Sequence, residues 1–143
     1  MKTVSIIGSF RKPDHYAKIV EIISLLKQRG IRVLSPEGTD VVGSIDDFVI
    51  FNSDNPNCTP AQIEEETLEK IFESDIVYVC NVDGYIGNTT GYEIGRCEMR
   101  AKEIFFMEYP KDFFMEGPIN ILLPNELACY AFGEMEDKPR GIK

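Results

Sequence analysis

The sequence predicts a single α/β domain with a mostly parallel sheet of four to five strands between helical layers. Three observations carry this. Ile76-Val77-Tyr78-Val79-Cys80 is an unbroken apolar, β-prone run, the pattern of a strand buried on both faces. Thr3–Ile7 and Ile31–Leu34 are two further β-rich segments. Between them Tyr16, Ile19, Val20, Ile23 and Leu26 repeat at helical spacing. A β-α-β unit of that length implies a parallel pair with a right-handed crossover. Finally, the central strand leads through a glycine-containing loop into a helical pattern from Asn88 to about Ala101. At 143 residues the chain is of single-domain size and can bury one core without staples.

Each element has local support. Pro13 suits the first position of the first helix, and Gly30 supplies its stop. Residues 35–58 lose clear periodicity, and so long a connection is usually functional. Asp46, Asp47, Phe48, Phe51, Asn52 and Asp54 interleave acids with aromatics there. The segment is expected to cover a pocket and to hold a short helix around Asp46–Phe51. Thr59-Pro60-Ala61-Gln62 matches a capping box with proline at the first helical position. In the helix that follows, Leu68, Ile71 and Phe72 face the core, while Glu64, Glu65, Glu66 and Glu69 form a solvated acidic face. Ile104–Met107 reads as a fourth strand, Ile119–Leu123 as a short strand or extended segment, and Asn125–Phe132 as a short helix.

The loop and helix start at Asp83–Cys97 form the organising stretch. In open α/β sheets, ligands bind beyond the carboxyl ends of the strands. Amide groups at Asn88, Thr89 and Thr90 would face that crevice and suit an anionic or hydroxyl-rich ligand. Glu93 would place a carboxylate near its floor. Gly91 and Gly95 flank Glu93, and the cost of glycine inside a helix points to close approach by a ligand or backbone. A second reading is purely structural: Thr90-Gly91-Tyr92-Glu93 also fits a capping box.

Bulk properties narrow the partners. A net charge of −9 argues against nucleic acid or anionic membrane, which need a basic face. It leaves room for a small phosphorylated ligand held by Arg11 or by backbone amides. Cys58, Cys80, Cys97 and Cys129 show no C-x-x-C pair and no metal-ligand spacing, so free thiols and a reducing cytoplasm are expected. No signal peptide is visible, and no apolar run approaches the roughly 18 residues of a membrane span.

Motifs narrow the chemistry. Gly8-Ser9-Phe10-Arg11 is not a dinucleotide fingerprint, and no P-loop is present, so no cofactor is implied. His15 is the only histidine, read as a partly exposed helix residue, which disfavours a Ser-His-Asp triad or a histidine metal site. Catalysis would then run on carboxylates, tyrosines and backbone amides. Carboxylates suit glycosidic bonds, whose cleavage passes through an oxocarbenium-like state.

Gly8-Ser9-Phe10-Arg11, Ser74–Val79, Asp83-Gly84-Tyr85-Ile86-Gly87 and Gly91-Tyr92-Glu93-Ile94-Gly95 together resemble the nucleoside 2-deoxyribosyltransferase-like superfamily, over roughly Thr3 to Met107. This superfamily also includes 2′-deoxynucleoside 5′-monophosphate N-glycosidases. The resemblance implies a flavodoxin-like, Rossmann-like fold, a homo-oligomer and a nucleophilic glutamate at Glu93 that attacks C1′ of a deoxynucleoside. Another base then accepts the sugar in the transferases, and water does in the N-glycosidases. Gly117-Pro118-Ile119-Asn120 resembles the segment whose asparagine binds the sugar 5′-hydroxyl in a neighbouring subunit's site, which would make Asn120 act in trans. The chain departs from the family pattern at two acids that help handle the leaving base, having Thr67 and Gly87 instead. Asp83 could replace them as general acid or base recogniser, or simply cap its loop. Ser9 and Arg11 would border the crevice, with Arg11 the candidate partner of a 5′-phosphate. Tyr16 and Tyr85 could orient Glu93 or stack on a base. The expected ligand is thus a nucleoside or nucleotide, and a non-catalytic nucleotide-binding or sensing module is the alternative.

Overall fold

The central strand β5 (Ile76–Cys80) is buried at every residue. Its neighbour β1 (Val4–Gly8) pairs with it in parallel from Val4↔Ile76 to Gly8↔Cys80. These pairings come from a computed structural model that describes residues 1–45 and 48–135. On the other side of β5 lies β6 (Glu103–Phe106), and beyond β1 lies β2 (Val33–Ser35), both also parallel. The sheet order is β2-β1-β5-β6. A single parallel bridge, Phe106↔Ile121, makes the 119–123 segment an extended edge rather than a full strand.

Alternation along the strands assigns the helices to two faces. Ile6, Tyr78 and Phe105 point to the layer of α1 (Pro13–Gln28) and α4 (Pro124–Phe132), where they meet Ile19, Leu26 and Leu127. Ile7, Val77, Val79 and Phe106 point the other way, onto Leu68 and Ile71 of α2 (Pro60–Glu73) and Ile94 and Cys97 of α3 (Asn88–Met99). The result is the three-layer, flavodoxin- or Rossmann-like α/β fold.

Local signals explain the boundaries. Thr59 and Gln62 complete a reciprocal capping box at the start of α2, with bonds of 3.2 and 2.8 Å. Gly133 closes α4 in the left-handed conformation. β2 starts later than Ile31 because the Ile31 N–H is still engaged by the Leu26 carbonyl at the end of α1, at 3.0 Å. All four cysteines are free, with Cys80 and Cys97 buried and their thiols pushed up to about 12 by burial. No helix among the described residues is long and apolar enough to cross a membrane.

The 35–58 segment corrects the expectation of a short helix. β3 (Val41–Ile45) and β4 (Phe48–Phe51) form an antiparallel hairpin. Phe48-Val49-Ile50-Phe51 is β-branched and aromatic throughout, and that preference prevails over any helix. Asp46 and Asp47 lie outside the described residues.

Candidate functional site

The chain runs from β1 outward to β2 and then returns to β5, so the order reverses between β1 and β5. That switch leaves a crevice beyond the carboxyl ends of these two strands. A cavity of about 670 Å³ opens there, a size typical of small-molecule sites.

Two loops and one helix start supply its polar wall. Gly8 ends β1 and Ser9, Phe10 and Arg11 follow it, and Tyr85 and Gly87 lie between β5 and α3. Asn88, Thr89, Thr90 and Glu93 belong to the first turns of α3. Gly87 lets the two loops meet: a Cβ there would stand 2.9 Å from the Ser9 hydroxyl oxygen. It is also the residue preceding α3, whose first amides carry no side-chain cap and so remain available to a ligand.

Glu93 is 6% exposed and projects into the cavity. The capping-box reading is overturned by where α3 begins. With Asn88 as the first helical residue, Glu93 lies beyond the first turn and caps nothing. Its partner is another carboxyl, Glu64 of α2, with which it shares a hydrogen bond. Such a bond needs one proton between the two groups, because two adjacent carboxylates do not both ionise. Burial, then the neighbouring Glu64 charge, raises Glu93 well above the usual carboxylate range. Burial raises Glu64 as well. Glu64 Oε1 is buried and receives no hydrogen bond from the protein.

Glu64 was expected on a solvated face, and it is half-buried in the cavity instead. The signal that could have found it is helical spacing. Thr67, the position of the missing acid, also lines the cavity, and Glu64 lies three residues earlier on the same face of α2. Lys70 continues that face and pairs with Glu37 at 3.2 Å.

The opposite wall is apolar. Phe48, Val49 and Phe51 of the hairpin line it, with Phe10 edge-on against Phe51 at 4.7 Å between centroids. Asp54 anchors the end of the hairpin by accepting the Phe51 N–H at 2.7 Å. Residues 35–37 and 48–54 thus supply one side of the cavity.

Three candidate residues lie elsewhere. Tyr16 donates its hydroxyl to the Thr39 carbonyl and does not line the cavity. Asp83 is exposed on a turn with φ 57°, its N–H bonded to the Glu108 carboxylate at 2.9 Å, outside the lining. Asn120 is 8% exposed within its own chain, beside β6, and its carbonyl accepts the Phe106 N–H. The flanking glycines of α3 also differ from expectation. A Cβ at Gly95 would meet nothing within 4 Å, and one at Gly91 would make only ordinary contacts at 3.7 Å. Neither glycine marks a close approach by another backbone.

Among the described residues no group of three or more His, Cys, Asp and Glu could hold a metal ion. Compared with known proteins, the chain matches no protein-family model and no curated protein.

Proposed function

We propose that this chain breaks the N-glycosidic bond of a deoxynucleoside, with Glu93 as nucleophile and Glu64 as proton donor. The single observation carrying this reading is the hydrogen-bonded carboxyl pair in a cavity at the switch point of the sheet. Inverting glycosidases separate their carboxyls by about 6.5–9.5 Å to admit a water, whereas nucleophile-based enzymes keep them closer. A contact pair leaves no room for that water, and an entering sugar would part the two carboxyls toward the spacing of about 5–5.5 Å of nucleophile-based enzymes. The pair also holds the one proton that the reaction needs.

Burial keeps the shared proton on Glu93 at rest; its transfer across the hydrogen bond to Glu64 makes Glu93 a carboxylate. Its oxygen bonds to C1′ as the C1′–N bond breaks, the electron pair leaves with the base, and Glu64 protonates the base. Water or a second base then attacks C1′, the ester bond to Glu93 breaks, and Glu64 takes up the proton released by the attacking group. The apolar wall of Phe10, Phe48 and Phe51 suits a planar base, and Thr90 and the α3 amides suit the sugar. Glu64 takes over the role of the acid that Thr67 lacks.

The cavity also favours a second reading of the substrate. Arg11 lines it together with the α3 start, and both suit a 5′-phosphate, as in a monophosphate N-glycosidase. Incubation with deoxynucleosides and their 5′-monophosphates, with and without an acceptor base, separates these by chromatography. Base release or exchange is expected from the wild type and not from Glu93→Ala. Glu64→Gln should slow it by about 10²–10⁴-fold. Nucleotide binding without turnover by the wild type would make the chain a binding or sensing module. A homo-oligomer in the cytoplasm is part of the same proposal.

A further inference from the structure

His15 does not fit the role of an ordinary surface histidine. It is 4% exposed, tucked between α1 and the turn Val82–Gly84. Its ring hydrogen-bonds the Val82 backbone and stands edge-on to Tyr85, 5.6 Å between centroids at 88°. The other ring nitrogen, Nδ1, is buried with no hydrogen-bond partner. Packing alone gives no reason to keep an imidazole here, because an unsatisfied buried nitrogen costs stability that a hydrocarbon would not.

What the imidazole touches is the cavity wall. Tyr85 lines the cavity, and its ring atoms lie within 3.7 Å of a Cβ position built on Gly87. Lys12, one helical turn before His15, sets its Nζ 4.2 Å from the centre of the same ring. We infer that His15 is a positioning residue whose neutral ring holds Tyr85 and its turn against the cavity. The inference rests on the reading of this cavity as a nucleoside site.

Charge explains why the neutral form is required. From the start of α1, Lys12 (its N-cap) and Asp14 face the ring, and from the turn, Asp83 and Tyr85 do. Burial, then Lys12, lowers the imidazole from its ordinary value, outweighing the opposing pull of Asp14, the Val82 hydrogen bond and Asp83. A proton added to Nδ1 would create a buried donor without an acceptor, beside a second cation. Opening the 82–85 turn relieves both, and it takes Tyr85 off the cavity wall.

His15 is the only histidine, so its ring proton signal in NMR needs no assignment. The test uses full-length protein carrying Glu93→Gln and Glu64→Gln, which prevents consumption of the probe and removes both carboxyls of the pair as rival sources of pH dependence. The probes are 2′-deoxyadenosine and its 5′-monophosphate. Without probe, the His15 signal should titrate below the free-imidazole value, and the Tyr85 ring signal, identified with Tyr85→Phe, should move with the same midpoint. With probe, affinity should fall by about tenfold per pH unit below that midpoint. His15→Gln retains a side-chain N–H for the Val82 carbonyl and does not titrate, so its affinity should stay flat over this range. His15→Ala should bind more weakly at every pH. An ordinary titration of His15, a Tyr85 signal that ignores it, or an acid-induced loss persisting in His15→Gln would each overturn the inference. Failure of both probes to bind would instead overturn the nucleoside reading, and the titration without probe would still decide the His15–Tyr85 contact.

Discussion

Glu93 is a carboxyl that the fold holds at a cost. Its folded-state pKa lies well above the ordinary value because of burial and Glu64. Between the unfolded-state value and that raised value the native protein binds more protons than the unfolded chain, so stability falls as pH rises through this window. The contribution is fully present below about pH 4.3, where an unfolded glutamate is itself protonated. Glu93→Gln keeps a hydrogen bond to Glu64 without the shared proton. It should raise the melting temperature at pH 7.5, and the gain should vanish near pH 4. Thermal unfolding at the two pH values checks this; an unchanged or lower melting temperature at pH 7.5 would mean that the pair is not under strain. At this scale the sequence was only partly legible. Glu93 stood out by its place after the central strand. Glu64 did not, because it sits in the run Glu64-Glu65-Glu66, and only the packing of α2 separates one inward carboxylate from two outward ones. His15 was misread for a similar reason: its burial depends on the 82–85 turn, which a helical pattern does not reveal.

At the scale of elements, glycines divide into those the geometry needs and those it does not. Gly84 has φ 77°, and a Cβ on it would lie 2.7 Å from the Tyr109 carbonyl oxygen. Gly84→Ala should therefore cost about 1–3 kcal/mol and loosen the turn that carries Tyr85. Gly95 lies on the exposed side of α3 with nothing near its Cβ position. Gly95→Ala should stabilise by about 0.5–1 kcal/mol and leave ligand affinity unchanged. Chemical denaturation of the two variants checks both signs. The strands of the main sheet were legible because buried parallel strands read as apolar runs, and the helices because of Pro13, the Thr59 box and their apolar spacing. The β3–β4 hairpin was not, since its alternation is broken by Gly43 and Ser44 and its register shifts between Val41 and Gly43.

For the whole molecule, the sheet order places the first loop, the α3 start and Glu64 of α2 around one crevice, although they are spread along the sequence from Gly8 to Glu93. The net charge of −9 and the acids Glu37, Asp54, Glu64 and Glu93 make that crevice acidic apart from Arg11 and Lys70. A dianionic ligand would thus depend on Arg11 and the α3 amides. Arg11→Ala should weaken binding of a 5′-monophosphate by at least about tenfold while barely altering that of the nucleoside; equal losses for both would remove the phosphate-site reading. The central claim is chemical and is tested most directly by intact-protein mass spectrometry after rapid acid quench of enzyme incubated with a deoxynucleoside or its 5′-monophosphate. A sugar adduct that maps to Glu93, and that disappears in Glu93→Gln, is the predicted result. Base release without an adduct, undiminished in Glu93→Gln, would contradict it.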